Sequence, residues 1–413
     1  MKARIDAANN EAVGRMIAAE PILVDVAPAG DVIRGLGGRT ILHSGPPVNW
    51  DRMCGAQRGA VIGIIRFEGW ADEPDDAVRL VERGEVRLEP NHHHQAVGPM
   101  AGTISPSLPV FIVENTTYGN RAFCRQVERR QQFGDYSDDA VSELRAWRDI
   151  FAPALSAALR QRGGLALKTI IAKALQMGDE LHNRQVAASS LFANAMAVSL
   201  SQAGLAADRL TRTLGYLANH EVFFLGLAMA AAKATADPAA GIEHSTVVTA
   251  MARNGTEFGI RISGLGDQWF VAPAPRIRGL YFPGFGDADA GLDMGDSAIT
   301  ETVGWGGFVL GGAPGILKLV GGTLEGAVAY SRQMREITVA SHPVFSIPGL
   351  GFEGAPVGID IRKVVRTGIA PIIDTAIAHK DPGHAMIGAG LVHAPLECFE
   401  AALETFGARY ALT

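Results

Sequence analysis

Three consecutive histidines form the most reactive run of side chains in this sequence. His92, His93 and His94 follow a predicted strand at residues 86–89 and precede a glycine-rich turn at residues 98–102. If the strand continues, His92 and His94 point to one face, where two imidazoles can bind a metal ion or an anion, or act as acid and base. A hydrogen-bonded structural cluster is the alternative, because no third ligand lies at a recognisable spacing.

A predicted β-hairpin carries a possible anion clamp. Residues 246–252 and 257–262 have strand character, and Asn254 followed by glycine supplies the positive φ angles of a tight turn. Glu257 and Arg261 fall on one face of the second strand, since side chains alternate along it. Arginine can fork onto a carboxylate or phosphate, although a structural ion pair would have the same sequence.

A third polar group includes Glu180, His182 and Arg184. The apolar spacing predicts a helix over residues 165–184, on which the i,i+4 relation brings Glu180 and Arg184 together. This cluster could bind substrate, with Glu180 orienting the arginine. An exposed, ion-paired helix explains the same residues equally well.

Glycine backbone and one asparagine offer further contacts. Gly304, Gly306 and Gly307 let backbone N–H groups approach an anion, but close packing of helix on sheet also favours glycine. Asn115 follows a predicted strand at residues 110–113 and is a candidate substrate contact or a strand-ending Asx turn. Polar residues that could contribute lie just upstream of the glycines: Asp296, Thr300 and Glu301.

Several classes of protein are disfavoured by motif and composition. The chain has neither the phosphate-binding loop nor the nucleophile elbow, and the net charge of −6 comes without a basic stripe, so we expect no nucleic-acid partner. Three scattered cysteines favour reduced thiols. The N-terminus lacks a signal-like apolar segment and no apolar run could span a bilayer, so we expect a cytoplasmic protein without a membrane partner.

The elements expected to position these residues divide the chain into three regions. With 413 residues the chain exceeds the usual size of one core. Strand-like runs at residues 22–26, 61–65, 86–89 and 110–113, with a helix from Pro74, predict an α/β domain over residues 1–135.

The residue composition and periodicity change twice along the remaining chain. Alanine- and leucine-rich periodicity predicts a small helical bundle over residues 136–240. The hairpin, a helix over residues 324–335 and a strand over residues 368–374 predict a second α/β domain over residues 241–413. The predicted fold class is therefore α+β (mixed α/β), with two α/β domains flanking a helical bundle.

Seven sequence blocks in one order also carry a family resemblance. The chain resembles the YlbE/YahG-like family of bacterial proteins, which includes the oxamate carbamoyltransferase subunit AllG. The blocks that carry the resemblance are Gly45-Pro46-Pro47, Met53-Cys54-Gly55, residues 91–102, residues 178–184, residues 250–259, residues 295–302 and residues 375–380.

The resemblance implies a function in ureide and allantoin catabolism. It implies a carbamoyltransferase subunit that passes a carbamoyl group between oxalurate, or a related N-carbamoyl compound, and phosphate. It also implies partner subunits and a homo- or hetero-oligomer. Two alternatives stay open: a metal-dependent amidohydrolase with a divalent ion at the histidine run, and a non-catalytic subunit that binds small anions.

Carbamoyl transfer requires acid–base groups, oxyanion donors and anion-binding groups, and candidate residues can be assigned to each. The sequence indicates no cofactor with certainty. Acid–base work or oxyanion donation is predicted for His92 and His94, and anion binding for Arg261 and Arg184. Glu257 and Glu180 are predicted to orient the arginines. The remaining predicted substrate contacts are Asn254, Asn115, His182, Gly304, Gly306 and Gly307.

Overall fold

The computed structural model describes residues 1–410. Helix makes up 47% and strand 23%, distributed over several small sheets, which confirms the mixed α+β class. The domain boundaries at residues 135 and 240 stay a prediction. The largest hydrophobic cluster draws on all three predicted regions, for example through Ala12, Phe111, Leu227 and Val357.

Fifteen α-helices lie within the described residues, and one π-helical turn, Trp147–Phe151, joins the fifth to the sixth. Their bounds are α1 Lys2–Ala18, α2 Ala29–Val32, α3 Gly55–Glu68, α4 Pro74–Glu82, α5 Asp138–Ala146, α6 Ala152–Arg162, α7 Leu167–Gln176, α8 Val186–Gln202, α9 Ala207–Ala218, α10 Phe224–Ala236, α11 Ile299–Thr302, α12 Leu317–Val320, α13 Leu324–Glu336, α14 Ile361–Thr367 and α15 Leu396–Arg409.

Sixteen strands within residues 1–410 form five sheets. Their bounds are β1 Pro21–Pro28, β2 Thr40–His43, β3 Arg87–Pro90, β4 Ala96–Val97, β5 Pro109–Asn115, β6 Asn120–Arg125, β7 Leu165–Ala166, β8 Val248–Asn254, β9 Glu257–Ile262, β10 Phe270–Pro273, β11 Arg278–Tyr281, β12 Met294–Gly295, β13 Thr338–Ile347, β14 Glu353–Ile359, β15 Ile372–Ala378 and β16 Met386–His393.

The largest sheet has the order β4-β6-β5-β1-β7 and is mostly antiparallel. Helix α10 packs on β5 and β6, and nearly all its residues are buried, which explains why this segment is apolar on every side. A second sheet, β10-β9-β8-β12, contains the predicted hairpin. Gly255 takes a φ of 78° in its turn, which confirms the hairpin, whereas Asn254 lies in β8 and does not have the positive φ that was predicted for it.

One predicted strand is wrong. Residues 61–65 lie inside the helix α3, and the side chains of Val61, Ile64 and Ile65 are fully buried. A short β-branched run that is buried on all sides has no periodicity, so the sequence alone cannot distinguish a helix from a strand there. The helix ends at Gly69, whose φ of 69° is the left-handed cap that glycine favours.

The helix predicted over residues 165–184 is shorter than expected. Helix α7 ends at Gln176, and Gly178 has a φ of 91°, which the helical conformation excludes. Residues 178–185 form a loop, so Glu180 and Arg184 are not i,i+4 neighbours on a helix. The residue types were identified correctly, but their predicted geometry was wrong.

The strand before the histidines does not continue through them, so the condition for His92 and His94 to share a face is not met. The segment Asn91–His94 is a single 3₁₀ turn after β3, so His92 and His94 do not share one face of a sheet. His92 is buried beneath the turn, whereas His93 remains exposed. None of the helices between residues 1 and 410 combines the length and apolarity required to cross a bilayer.

Candidate functional site

The most unusual polar cluster consists of one imidazole and three carboxyl groups inside the protein. Glu180 and His182 lie on the loop 178–185, Glu301 in α11 and Asp374 in β15. His182 is 2% exposed and each of the carboxyl residues is 0% exposed. We call these four residues the acidic cluster.

The groups of the acidic cluster are within direct reach of one another. The Nδ1 atom of His182 lies 2.8 Å from Oε1 of Glu301 and 3.6 Å from Oδ1 of Asp374. Gly307 N and Thr300 Oγ1 each donate to Glu301 over 3.0 Å, which fixes that carboxylate. Within the described part of the chain, neither oxygen of Asp374 meets an N–H or hydroxyl donor, and its hydrogen-bonding neighbours are the carboxyl groups of Glu301 and Glu180.

Glu180 holds the loop rather than facing outward. Its carboxylate accepts the backbone N–H groups of His182 and Asn183, both over 2.7 Å, and also that of Arg184. Three such bonds substitute for the helical hydrogen bonds that the loop lacks. Glu180 therefore determines where the His182 side chain lies.

Burial gives the acidic cluster unusual electrostatics. It raises the pKa of Glu301 to about 7 and that of Asp374 to about 7, and it lowers the pKa of His182 to about 4. The pKa of Glu180 is raised well above its ordinary value, first by burial and then by neighbouring Asp374. At neutral pH the His182 imidazole is therefore uncharged and does not neutralise the carboxyl groups beside it.

A buried arginine borders the cluster but is already paired. Arg253 binds Asp293 through Nε at 2.8 Å and Nη2 at 3.0 Å, and it donates to Gly295 O and Thr375 Oγ1. Its positive charge helps to lower the pKa of Glu301, against the larger effect of burial. Sequence reasoning quoted Arg253 in a family block without assigning it a role.

A cleft of about 480 Å³ adjoins the cluster, with His182 on its wall. Unpartnered amide groups line it: within residues 1–410, Asn183 Nδ2 lacks an acceptor, and Gln132 Oε1 and Gln185 Oε1 lack donors. Arg129 is exposed at the same cleft. The cleft therefore exposes the Arg129 guanidinium, whereas these three unpartnered amide atoms are themselves buried in its wall.

A second buried cluster surrounds the histidine run. Asp296 accepts hydrogen bonds from Gly45 N at 2.8 Å, Asn91 Nδ2 at 2.8 Å and Gly98 N at 2.9 Å, while burial raises its pKa to about 6. His92 Nε2 lies 3.6 Å from Asp296 Oδ1. Burial lowers the pKa of His92 well below its usual range, so the ring is neutral. Across residues 1–410 neither ring nitrogen has a hydrogen-bond partner.

The histidine run and the arginine-bearing hairpin lie together rather than on opposite sides. His92 packs edge-on against Trp269 with ring centroids 5.5 Å apart, and Trp269 Nε1 donates to His93 Nε2 over 3.2 Å. The Arg261 guanidinium lies 4.6 Å from the centroid of the same indole ring. Arg261 also pairs with Asp267 at 3.2 Å.

Other predicted site residues are placed separately. His94 pairs with Glu89. Glu257 pairs with Arg52 over 2.6 Å, and Asn254 caps the hairpin turn by accepting the Thr256 and Glu257 N–H groups.

Asn115 and Arg184 are bound locally. Asn115 accepts the N–H groups of Glu20 and Thr117 and donates to Ala234 O, as in the Asx-turn alternative. Arg184 Nε donates to Gly178 O over 3.2 Å.

The glycines predicted to contact substrate instead allow neighbouring segments to pack closely. A Cβ atom would lie 1.7 Å from Pro356 O at Gly304, 2.1 Å from Glu301 Oε1 at Gly306 and 2.3 Å from Ile372 O at Gly307. The structure thus separates the predicted set into the acidic cluster with its cleft, the Trp269 surroundings, and residues with local partners. Their functional roles stay predictions.

Metal-ligating residues converge at one place within residues 1–410. One ligand atom each from His182, Glu301 and Asp374 lies within 4.8 Å of the other two. The histidine run provides no such group of three among the described residues. A sequence signal existed for Glu301, which stands in the block 295–302, but Asp374 was read only as the end of a strand.

The family profile described as oxamate carbamoyltransferase subunit AllG matches residues 86–297. The AllG subunit of Escherichia coli K12 is 45% identical over 403 residues, which cover 96% of each chain.

Two further relatives match over nearly the full length. The uncharacterized protein YahG of Escherichia coli K12 is 46% identical over 412 residues, 99% of this chain and 87% of YahG. A crystal structure of a conserved protein of unknown function from Enterococcus faecalis V583 superposes with a TM-score of 0.96 at 45% identity, covering 98% of both chains. These matches confirm the predicted resemblance, and the chain belongs to the family of YahG and the oxamate carbamoyltransferase subunit AllG.

Proposed function

We propose that this chain is a subunit of a carbamoyltransferase of the oxamate carbamoyltransferase type. The observation that carries the proposal is the 45% identity to AllG over 96% of both chains. In the proposed reaction, phosphate oxygen attacks the carbamoyl carbon of oxalurate or a related N-carbamoyl compound. The C–N bond breaks, the nitrogen takes a proton, and carbamoyl phosphate and oxamate leave.

The polar lining of the cleft supports this substrate class. A ureido group carries N–H donors and a carbonyl acceptor, which match the unpartnered Gln132 and Gln185 oxygens and the Asn183 Nδ2 donor in the wall of the cleft. These three atoms are buried, so their side chains must rotate towards the ligand to reach it. We assign Asn183 to the carbamoyl oxygen, where charge develops during transfer. Arg129 is assigned to the substrate carboxylate or to phosphate, which a guanidinium binds in a forked geometry.

Partner subunits belong to the proposal because AllG is named as a subunit. The surroundings of Trp269, with His92 and Arg261, stay a second proposed anion site. The cleft is favoured because it offers space for a ligand beside the exposed guanidinium of Arg129, whereas the imidazole of His92 is buried.

The test is phosphate-dependent formation of carbamoyl phosphate from oxalurate by the complex reconstituted with its partner subunits. Asn183→Ala should lower kcat about 100-fold or more, as expected for loss of an oxyanion donor. The matched control is Asn10→Ala on the exposed surface of α1, which should leave kcat unchanged.

Two outcomes would contradict parts of the proposal. Full activity of the Asn183→Ala complex would place the reaction outside this cleft, and loss of activity in His92→Ala would then favour the Trp269 site. If the wild-type complex bound anions but transferred no carbamoyl group, the chain would instead be a non-catalytic subunit that binds small anions.

A further inference from the structure

The acidic cluster lacks the positive charge that its carboxylates require. Glu180, Glu301 and Asp374 share one imidazole, and the nearest buried guanidinium, Arg253, already forms a bidentate pair with Asp293. Asp374 is 0% exposed, and among the described residues its two oxygens meet no N–H or hydroxyl donor, only the carboxyl groups of Glu301 and Glu180. A buried carboxylate without such a donor or a counter-ion is costly, so either shared protons or a bound cation must compensate it.

The distances within the cluster match those between ligands of a common metal ion. The Nδ1 atom of His182 lies 2.8 Å from Glu301 Oε1 and 3.6 Å from Asp374 Oδ1, with all three ligand atoms within 4.8 Å. Bonds of about 2.0–2.2 Å to one metal separate neighbouring ligands by about 3.0–3.5 Å. Small adjustments of the side chains would therefore bring them into coordination.

Supporting contacts hold two of the three ligands, Glu301 and His182, in place. Thr300 and Gly307 each donate to Glu301, and Glu180 fixes the backbone that carries His182. Gly306 has a φ of 57°, and a Cβ atom there would lie 2.1 Å from Glu301 Oε1. A glycine at this position lets the chain pass close to that carboxylate. Such support of the ligands is typical of metal sites.

We propose that His182, Glu301 and Asp374 bind a divalent transition-metal ion of the Zn²⁺ or Mn²⁺ type. An imidazole together with two carboxylates suits these ions, whereas Mg²⁺ and Ca²⁺ prefer oxygen ligands alone. The cleft provides the route of entry, because His182 lies on its wall. The inference concerns the ion alone and is independent of whether the cleft transfers carbamoyl groups.

The test uses the full chain without a histidine tag, stripped by chelator and then titrated with ZnCl₂ or MnCl₂ by calorimetry. The wild type should bind one ion per chain at the cluster. Asp374→Asn and Glu301→Gln should each weaken binding by about 100-fold or more, since they remove ligands and loss of mere supporting contacts already costs about 10–100-fold. Two isosteric variants guard against a folding defect in either one.

The control is Asp360→Asn, which removes a buried carboxylate that binds Asn9, Thr246 and Arg362 outside the cluster. It should leave the affinity and stoichiometry of the metal ion unchanged. Absence of binding to the wild type at millimolar ion, or equal binding by Asp374→Asn, would overturn the proposal. Absence of binding with a higher melting temperature for Asp374→Asn would show that shared protons neutralise the carboxyl groups instead.

Discussion

Two buried histidine–carboxylate pairs have the same separation but opposite surroundings. His92 lies 3.6 Å from Asp296, and His182 lies 3.6 Å from Asp374. In the first pair the carboxylate accepts three donors and, within the described residues, the imidazole has no polar partner. In the second pair the imidazole is held by Glu301, and the carboxylate lacks donors.

The difference shows that proximity of the same residue types does not define their chemistry. Asp296 is satisfied by the backbone and by Asn91, so its pair can be a closed structural element. Asp374 retains unused acceptor capacity next to other acids, so its surroundings favour a cation or protons. The distribution of donors separates the two cases.

Removing the carboxylate of the satisfied pair should have the largest effect on stability. Asp296→Ala leaves Gly45 N, Gly98 N and Asn91 Nδ2 buried without an acceptor, so the free energy of unfolding should fall by about 3–5 kcal/mol. Urea denaturation measures this change. The control Asp31→Ala, at an exposed position of α2, should stay within about 0.5 kcal/mol of wild type.

Matched Asp-to-Asn substitutions in the two clusters should change the free energy of unfolding in opposite directions. In metal-free protein, Asp374→Asn should raise the free energy of unfolding by about 1–2 kcal/mol, because it removes crowded acid and loses no donor. Asp296→Asn should lower it, because an amide NH₂ would face N–H donors. Equal signs in denaturation of both variants would contradict the proposed difference between the pairs.

Acid should destabilise the surroundings of the first pair through a neighbouring histidine. His43 is buried with Nδ1 2.8 Å from Ser44 O, and burial lowers its pKa to about 4. The unfolded chain takes up this proton near pH 6.5, so stability is complete above pH 6.5 and falls as the pH drops towards 4.

The variant His43→Gln should reduce this slope by one proton, about 1.4 kcal/mol per pH unit. Denaturation between pH 7 and pH 5 measures the slope. His384→Gln is the control, because His384 is only partly buried and stacks on His379, away from His43. An unchanged slope in His43→Gln would show that His43 does not differ in protonation between the folded and unfolded states.

The smallest effect is expected at a pair that belongs to neither cluster. Glu257 binds Arg52, whose side chain is 55% exposed. Exposed ion pairs contribute little because water screens them, so Glu257→Gln should change the free energy of unfolding by less than about 0.5 kcal/mol. A loss above about 2 kcal/mol in urea denaturation would indicate a role in packing that the structure does not account for.

Local features of the sequence predicted part of this structure. The Asn254-Gly255 turn, the helix beginning at Pro74 and the mixed fold class depend on short-range conformational preferences, and each was predicted correctly. The helix at residues 61–65 was missed because burial on every side removes the periodicity on which such predictions depend.

The sequence by itself determined which residues could do chemistry and which family the chain resembles. Only the tertiary structure decided that His182 meets Glu301, 119 residues away, and Asp374, and that His92 meets Asp296. The physical reason is that contacts between distant segments follow from the packing of the whole core. The course of the backbone then brings N–H donors to the carboxylate of Asp296 and not to that of Asp374.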